Sequence, residues 1–309
     1  MTFLGQRLES VRGAIEAKIA TADKALLSEY PVEEYIAFFD ALRPSEGFAV
    51  VPNEAGRFCQ SIVKRTEQSS LEDYHRLALL TAMAQFDQRS QQRSLTPTVR
   101  QYFEQYFDAI LAEMEKPKKR YYLHENDAFA KDFAVCRMKL WPCGVELVDE
   151  RSTVPRRVLL TGNLRRFLAR LRFFAFKVGG LGPLFETHVH PRFTKDFTPE
   201  SYDNLYRTIA ELLEVNPTIK GIVSGSWWHD PALEHISPNL RFLTTVPEAG
   251  GAQSFCVGTN PIAVQDATRF SIERTKLYKE GTYTPQVYLL VWARADLLRW
   301  ARQHDRRTA

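Results

Sequence analysis

The chain has 309 residues, of which 44% are hydrophobic and 25% are charged, and this composition excludes disordered, collagen-like and disulfide-stapled proteins. Its net charge of +4 is too small for a dedicated nucleic-acid-binding protein, so we expect a small-molecule substrate and no nucleic acid. No apolar run reaches the roughly 18 residues of a membrane helix, so we expect no membrane partner, and residues 1–9 lack a secretory signal. We therefore expect a cytoplasmic protein of roughly two domains.

The first 116 residues predict an all-helical domain, because apolar residues recur at spacings of three and four and glycines are few. The first helix is predicted over about 2–27. A second helix follows Pro31, a third begins at Ser70, and a fourth begins at Thr96.

The charged, proline-bearing stretch Lys116–Arg120 predicts the boundary between a helical domain, 1–120, and a second domain, 121–309. Beyond it, apolar segments alternate with glycine and proline turns, which predicts a mixed α/β domain with a central sheet and an α+β fold for the whole chain. The predicted strands are 133–148 with a bend at 142–144, 156–160, 183–190, 219–228, 241–246, 254–257 and 287–292, and the predicted helices are 164–178, 199–215, 263–279 and 295–303.

Four of the seven histidines cluster in the second domain, and this is the main functional signal in the sequence. On a strand, the side chains of Glu186, His188 and His190 emerge from one face. Two imidazoles and one carboxylate that leave coordination positions open suit a divalent metal, iron or else zinc or manganese. We therefore predict a metal site, in which Asp230 or His229 is the alternative third ligand. A hydrogen-bonded or solvated strand edge explains the same two histidines without a metal.

A second set of candidates follows the predicted strand 219–228. Ligands of open α/β sheets bind at the carboxyl ends of strands, where this chain places Ser226, His229 and Asp230. We predict His229 as a base or ligand, Asp230 as a ligand or orienting group, and Ser226 as a hydrogen-bond donor. The alternative is that the neighbouring tryptophans belong to the core and that Asp230 only begins a turn.

The predicted helix 164–178 combines an apolar stripe with four arginines and a lysine. Such a basic surface suits an anionic partner such as a phosphate, coenzyme A or a nucleic acid. A solvated helix face explains the charges as well. The arginines lie on two sides of the helix and form no single stripe, which disfavours a nucleic acid.

Three segments of the second domain carry distinctive patterns, namely E-x-H-x-H at 186–190, G-S-W-x-x-D-P within 225–238, and L-Y-x-x-G-x-Y-x-P at 277–285. Together they resemble a family of bacterial proteins that has no established activity. The resemblance implies which segments to test, and it implies no reaction.

The order of the predicted elements in the second domain is also similar to the core of the GNAT acyltransferases. This resemblance implies acyl-coenzyme A as a cofactor, with its pyrophosphate held by backbone amides of a glycine-rich turn at a helix N-terminus. The matching turn contains Gly258 and Thr259, followed by Pro261, which has no amide proton. In this interpretation one of the histidine or glutamate candidates deprotonates an amine.

Three hypotheses therefore remain open at the level of the sequence. The first is an enzyme that activates oxygen or water at a non-haem iron-type metal site. The second is a GNAT-like acyltransferase that uses the same residues as acid or base. The third is a ligand-binding or partner-binding protein without catalytic activity, in which the helical domain provides the interaction surface.

Overall fold

The computed structural model describes residues 3–115, 120–160 and 163–308. The chain forms two compact units. Unit 1 takes in the described residues up to Cys143 together with His190–Lys195, and unit 2 takes in Gly144–Val189 and the described residues from Asp196 onward. A helical first part followed by a sheet-containing second part confirms the predicted α+β class.

The division between the units falls between Cys143 and Gly144, and not at the predicted boundary, 116–120. Residues 116–119 lie outside the described part of the chain. The segment after the predicted boundary joins the helical unit because Phe129 and Phe133 are buried there and pack against the rings of the first helices.

Unit 1 is built from α-helices and closes with one short strand. Its elements are α1 (Phe3–Ala22), α2 (Leu26–Glu29), α3 (Val32–Asp40), α4 (Asn53–Arg65), α5 (Gln68–Ala84), α6 (Phe86–Ser90), α7 (Pro97–Glu115), α8 (Asp127–Cys136) and β1 (Leu140–Pro142). The central helix is α5, which packs against α1, α3, α4 and α8. Its apolar residues are buried on several sides, as expected of a helix surrounded by others.

The core of unit 1 contains a buried hydrogen-bonded network. The Tyr35 hydroxyl lies 3.0 Å from His75 Nε2 and 2.5 Å from His124 Nε2, and His75 Nδ1 lies 2.6 Å from the Tyr122 carbonyl oxygen. Burial lowers the pKa of His75 to about 4, so the ring is neutral at pH 7. Because the carbonyl accepts, Nδ1 carries the proton, and Nε2 then accepts from the Tyr35 hydroxyl.

Unit 2 contains the other strands. Its elements are β2 (Glu146–Ser152), α9 (Arg157–Leu160), α10 (Leu164–Arg172), a π-helix (Phe173–Val178), β3 (Leu184–Val189), α11 (Pro199–Val215), β4 (Gly221–Ser226), a 3-10 helix (Trp227–His229), α12 (Leu233–Ile236), α13 (Phe242–Ala249), β5 (Gln253–Gly258), α14 (Pro261–Arg269), α15 (Ile272–Lys279), β6 (Val287–Ala293) and α16 (Arg294–Thr308). A short 3-10 helix also occurs in unit 2 at Pro238–Leu240, and another occurs at Pro191–Asp196, whose residues up to Lys195 belong to unit 1.

The strands of unit 2 lie in the order β2-β3-β4-β6-β5. β3 and β4 are parallel and are joined by α11, whereas the β2–β3, β4–β6 and β6–β5 pairs are antiparallel. One face packs against α9 and the π-helix through a cluster of buried residues, which includes Phe174, Val223 and Phe255. The opposite face carries Tyr202 and Tyr206 of α11.

Three predicted strands of the sequence are helical in whole or in part. Phe133–Cys136 belongs to α8, 156–160 overlaps α9, and 241–246 overlaps α13. Beta-branched and aromatic residues favour strands only as a weak tendency, and burial decides these segments. In α13, Leu243 and Pro247 are four residues apart and are both buried, which is the spacing of one helix face.

Among the described residues, no helix has both the length and the apolar character needed to cross a membrane.

We expect Tyr35→Phe to lower the free energy of unfolding by about 1–3 kcal/mol, because it removes the buried hydroxyl that joins His75 and His124. Urea unfolding monitored by circular dichroism measures the change. Tyr278→Phe, at an exposed position, is the control and should change it by less than about 0.5 kcal/mol. Equal, small effects of both variants would contradict a stabilising role for the network.

Candidate functional site

The two parallel strands of unit 2 separate at their carboxyl ends. Their register runs through Phe185↔Ile222 and Glu186↔Val223 and ends at Thr187↔Ser224. Beyond this point β3 continues to pair with β2, and β4 continues to pair with β6. The ends of these two neighbouring interior strands thus diverge. Beyond the last pair, the backbone groups on their facing edges no longer pair with each other.

Gly225 is the first residue of β4 beyond the last β3–β4 pair, and it is exposed although β4 lies inside the sheet. A Cβ atom at this position would lie 3.0 Å from Leu289 Cδ2 on β6. A side chain at this position would therefore crowd β6, which borders β4 on the side away from β3. Open α/β sheets bind their ligands at the carboxyl ends of strands, so this opening is the candidate site.

The last β3–β4 pair carries two small hydroxyl residues on one face of the sheet. Thr187 and Ser224 are buried, and each is bonded to a buried titratable residue. Thr187 hydrogen-bonds to Glu146 of β2, and Ser224 Oγ lies 3.0 Å from His229 Nε2. Because neighbouring strands are about 4.8 Å apart, the register brings a carboxyl group and an imidazole to one place at the opening.

Glu146 is a buried carboxyl group that keeps two hydroxyl partners. The Tyr202 hydroxyl donates to its Oε1 at 2.6 Å, and Thr187 provides a second hydrogen bond. Burial nevertheless raises the pKa of Glu146, because the loss of hydration outweighs the two hydrogen bonds. A carboxyl group with a raised pKa is suited to exchange protons nearer to neutral pH.

A 3-10 helix follows β4 directly, and it turns the chain so that the His229 side chain contacts Ser224 of the sheet. Its Nε2 lies against Ser224 Oγ, and its Nδ1 is 3.5 Å from Thr244 Oγ1. Burial lowers the pKa of His229 to about 3, so its imidazole stays neutral at pH 7. A base this weak is poorly matched to proton abstraction near neutral pH, whereas a neutral imidazole can orient and polarise the Ser224 hydroxyl.

The other two residues predicted at this strand end support the loop. Ser226 Oγ accepts from the Trp228 amide at 3.4 Å as the cap of the 3-10 helix. Asp230 Oδ1 accepts from the Ala232 amide at 3.0 Å, and its Oδ2 accepts from the Gln286 amide at 3.1 Å. Asp230 thereby ties the turn after β4 to the residues that precede β6.

The three predicted metal ligands have other partners. Glu186 and His188 lie on β3, and the Ser152 hydroxyl donates to Glu186 at 2.5 Å. His190 belongs to unit 1, where its Nδ1 accepts from the Arg192 amide at 3.1 Å. Its Nε2 lies 3.3 Å from Asp132 Oδ1 and therefore carries the proton, so neither ring nitrogen offers a lone pair to a metal.

No group of three or more histidine, cysteine, aspartate or glutamate side chains within the described residues could hold a metal ion. The structure therefore does not assemble the metal site that the sequence predicts. Alternation along a strand places residues on one face, but it does not determine what those side chains bind.

The turn that the sequence compares with a pyrophosphate-binding loop follows β5. This strand lies at the edge of the sheet. Gly258 has a φ of 100°, and Thr259 is exposed. The Asn260 side chain takes up the Ala263 amide at 2.8 Å, and Pro261 has no amide proton, so few free donors remain at the start of α14.

A groove of about 450 Å³ lies between α13 and α16. It is next to Trp292 and Ala293 of β6, which pair with the first residues of β4. The groove is thus at the opposite end of β4 from the opening. Its buried carboxylate, Asp296, is paired with Lys177 and Arg299. We assign it no role in the candidate site.

Sequence reasoning missed Glu146 and Ser224. Glu146 stands in a run of small and apolar residues, Cys143–Val148, and a carboxylate in such a run can be recognised as a buried charge. Ser224 has no comparable signal, because its importance depends on the register with Thr187, and pairing across a crossover cannot be read from local sequence.

No protein-family model matches the chain, and a search of curated proteins finds no match. A search of solved structures finds an acyltransferase in complex with coenzyme A and 10C-teicoplanin. The sequence identity is 12% and the TM-score is 0.49, and the match covers 87% of this chain and 79% of that chain. A likeness at this level assigns neither an activity nor a ligand.

The pKa of His229 predicts how stability depends on pH. Its folded pKa of about 3 lies below the ordinary value of 6.5, so its contribution to stability is complete above pH 6.5 and is lost as the pH falls towards 3. We expect His229→Gln to reduce the slope of stability against pH in this window by up to about 1.4 kcal/mol per pH unit. Urea unfolding at several pH values measures this slope.

The matched control is His235→Gln, since His235 is exposed. It should leave the slope as in the wild type. If His229→Gln also leaves the slope unchanged, then the imidazole of His229 is not held neutral by burial.

Proposed function

We propose that unit 2 is an acyltransferase domain that takes an acyl group from a pantetheine thioester and delivers it to the amine of a small molecule. The observation that carries this proposal is the separation of β3 and β4 after Thr187 and Ser224. The similar order of elements in the GNAT acyltransferases supports the same reaction class.

The opening suits an extended ligand that contains amides. Backbone N–H and C=O groups at a strand edge bind a ligand chain as they would bind another strand. The pantetheine arm has two secondary amides in an extended chain and ends in the thioester. Inserted between β3 and β4, such an arm would satisfy facing backbone groups and place its thioester beside Ser224 and Glu146.

The nucleotide end of coenzyme A fits less well. At the start of α11, Pro199 has no amide proton, and the Ser201 amide is taken up by the Thr198 hydroxyl at 3.2 Å. Glu200 adds a negative charge in the same turn. Neither α11 nor α14 therefore provides the array of free amides that holds a pyrophosphate. The proposed ligand is recognised through its pantetheine arm and its acyl group.

The side chains at the opening divide the chemistry between them. Glu146 accepts the proton that the amine loses as the new C–N bond forms. As the C–S bond breaks, Glu146 returns this proton to the departing sulfur, so that the products are an amide and a thiol. In this mechanism the neutral His229 donates its Nε2–H to Ser224 Oγ, so that the Ser224 hydroxyl can donate its own hydrogen to the carbonyl oxygen on which charge develops.

The first test is binding. We expect acetyl-coenzyme A and S-acetylpantetheine to bind with dissociation constants within about tenfold of each other, because no pyrophosphate cradle is built. Isothermal titration calorimetry measures both. Gly225→Val should weaken both ligands, because its side chain would clash with Leu289 of β6 and displace the end of β4 that borders the opening.

Gly56→Ala is the control, since nothing lies within 4 Å of a Cβ at that position and the residue is in α4 of unit 1. It should bind as the wild type does. The assignment of the opening is wrong if neither ligand binds or if Gly225→Val binds both unchanged. Tight binding of acetyl-coenzyme A alone would contradict recognition through the arm.

The second test is kinetic. We expect Glu146→Gln to lower the rate of thiol release from acetyl-coenzyme A, in the presence of a panel of small amines, by about 10²–10⁴-fold. The dissociation constant for the thioester should stay close to that of the wild type. An unchanged rate in Glu146→Gln would remove Glu146 from the mechanism, and a change confined to binding would make it a structural residue.

A further inference from the structure

The segment between β2 and β3 has an unusual charge pattern. From Arg151 to Phe185 the sequence contains no acidic residue, and it contains eight basic ones. The basic residues are Arg151, Arg156, Arg157, Arg165, Arg166, Arg170, Arg172 and Lys177. The segment therefore carries a formal charge of +8, whereas the rest of the chain carries −4, since the whole chain has +4.

Large apolar side chains stand exposed in the same segment. None of the residues of α10 is buried. Leu164, Leu168 and Leu171 are 72%, 54% and 43% exposed, and their spacing places them in one stripe along the helix. Leu160 before the helix is 72% exposed and Phe176 after it is 85% exposed. The segment is anchored to unit 2 by other residues, namely Val158, Phe173, Phe174 and Val178.

Two of the four arginines of α10 lie beside the apolar stripe, whereas the exposed Arg166 lies across from it. With 100° per residue, Arg165 and Arg172 project next to the stripe formed by Leu164, Leu168 and Leu171. Both arginines are exposed. Arg170 points inward instead, since it donates to the Val158 carbonyl oxygen at 2.7 Å and its guanidinium lies over the Phe255 ring.

We propose that α10 and its flanking residues form a docking surface for a membrane that contains anionic lipids. A helix with exposed leucines next to arginines lies in the plane of a membrane interface, where the leucines enter the acyl region and the arginines reach the phosphate groups. Each basic residue near an anionic surface adds to the electrostatic attraction.

The positive charge of this segment disfavours two other partners for its exposed apolar side chains, a second copy of the chain and a nucleic acid. A second copy of this chain would bring together two basic segments that contain no acidic residue, and like charges across an interface oppose association. A nucleic acid would satisfy the arginines but would leave the leucines and Phe176 facing phosphates and water. An anionic lipid surface complements both the charge and the apolar side chains of the segment.

The test is sedimentation of the full chain with vesicles. We expect binding to phosphatidylcholine vesicles that contain phosphatidylglycerol, weaker binding at high salt, and little binding to pure phosphatidylcholine. The double variant Leu164→Gln with Leu168→Gln should bind at least about tenfold more weakly. The double variant Arg165→Glu with Arg172→Glu should also lose binding to the anionic vesicles.

A matched control changes exposed apolar residues elsewhere in unit 2. Ile262 and Ile272 are 69% and 92% exposed, so Ile262→Gln with Ile272→Gln should bind vesicles as the wild type does. Circular dichroism of each variant establishes that it is folded. Equal binding of the leucine variant and the wild type, or equal binding to neutral and anionic vesicles, would overturn the proposal. So would a wild-type dimer that Leu168→Gln dissociates and that does not bind vesicles.

Discussion

The pairing of β3 with β4 is limited to three residue pairs, and the arrangement of the candidate site depends on this limit. Each strand keeps its outer partner beyond the last pair, so the strands stay extended while they move apart. An interior sheet position that would normally be closed by backbone hydrogen bonds becomes an opening with polar edges. The same register places Thr187 and Ser224 side by side at its base.

Burial then shifts the pKa values of the two titratable groups at the bottom of the opening in opposite directions. Loss of hydration raises the pKa of Glu146 and lowers that of His229, because in each case it disfavours the charged form. Both groups are therefore biased towards neutrality, and each is held by a hydroxyl of the last strand pair. At the bottom of the opening, Glu146 can therefore exchange a proton while His229 orients a hydrogen-bond donor. The proposed acyl transfer needs this division of roles.

The sequence predicted the fold class and several elements well. The helical first part, β3, α11, β4 and β6 follow from periodicity and from caps such as Thr198. It did not predict which strands are neighbours, because a parallel pair is made across a long crossover. Alternation along one strand predicted that His190 shares a site with Glu186, whereas the two ring nitrogens of His190 contact the Arg192 amide and the Asp132 carboxylate. His229 was found from the sequence, but its neutral state depends on burial that no local pattern specifies.

The most direct test of the account is amide hydrogen exchange at the ends of the two strands. His188, Val189, Gly225 and Ser226 lie beyond the last β3–β4 pair, whereas residues 185–187 and 222–224 lie within the pairing. Because successive amides of a strand point to opposite neighbours, the comparison is made between amides an even number of residues apart that face the opening. We predict that the inner amides are protected in the free protein, and that amides at the diverging ends exchange faster and become protected when S-acetylpantetheine is added. Equal protection at both positions in the free protein, with no change on addition of the ligand, would contradict an opening between β3 and β4.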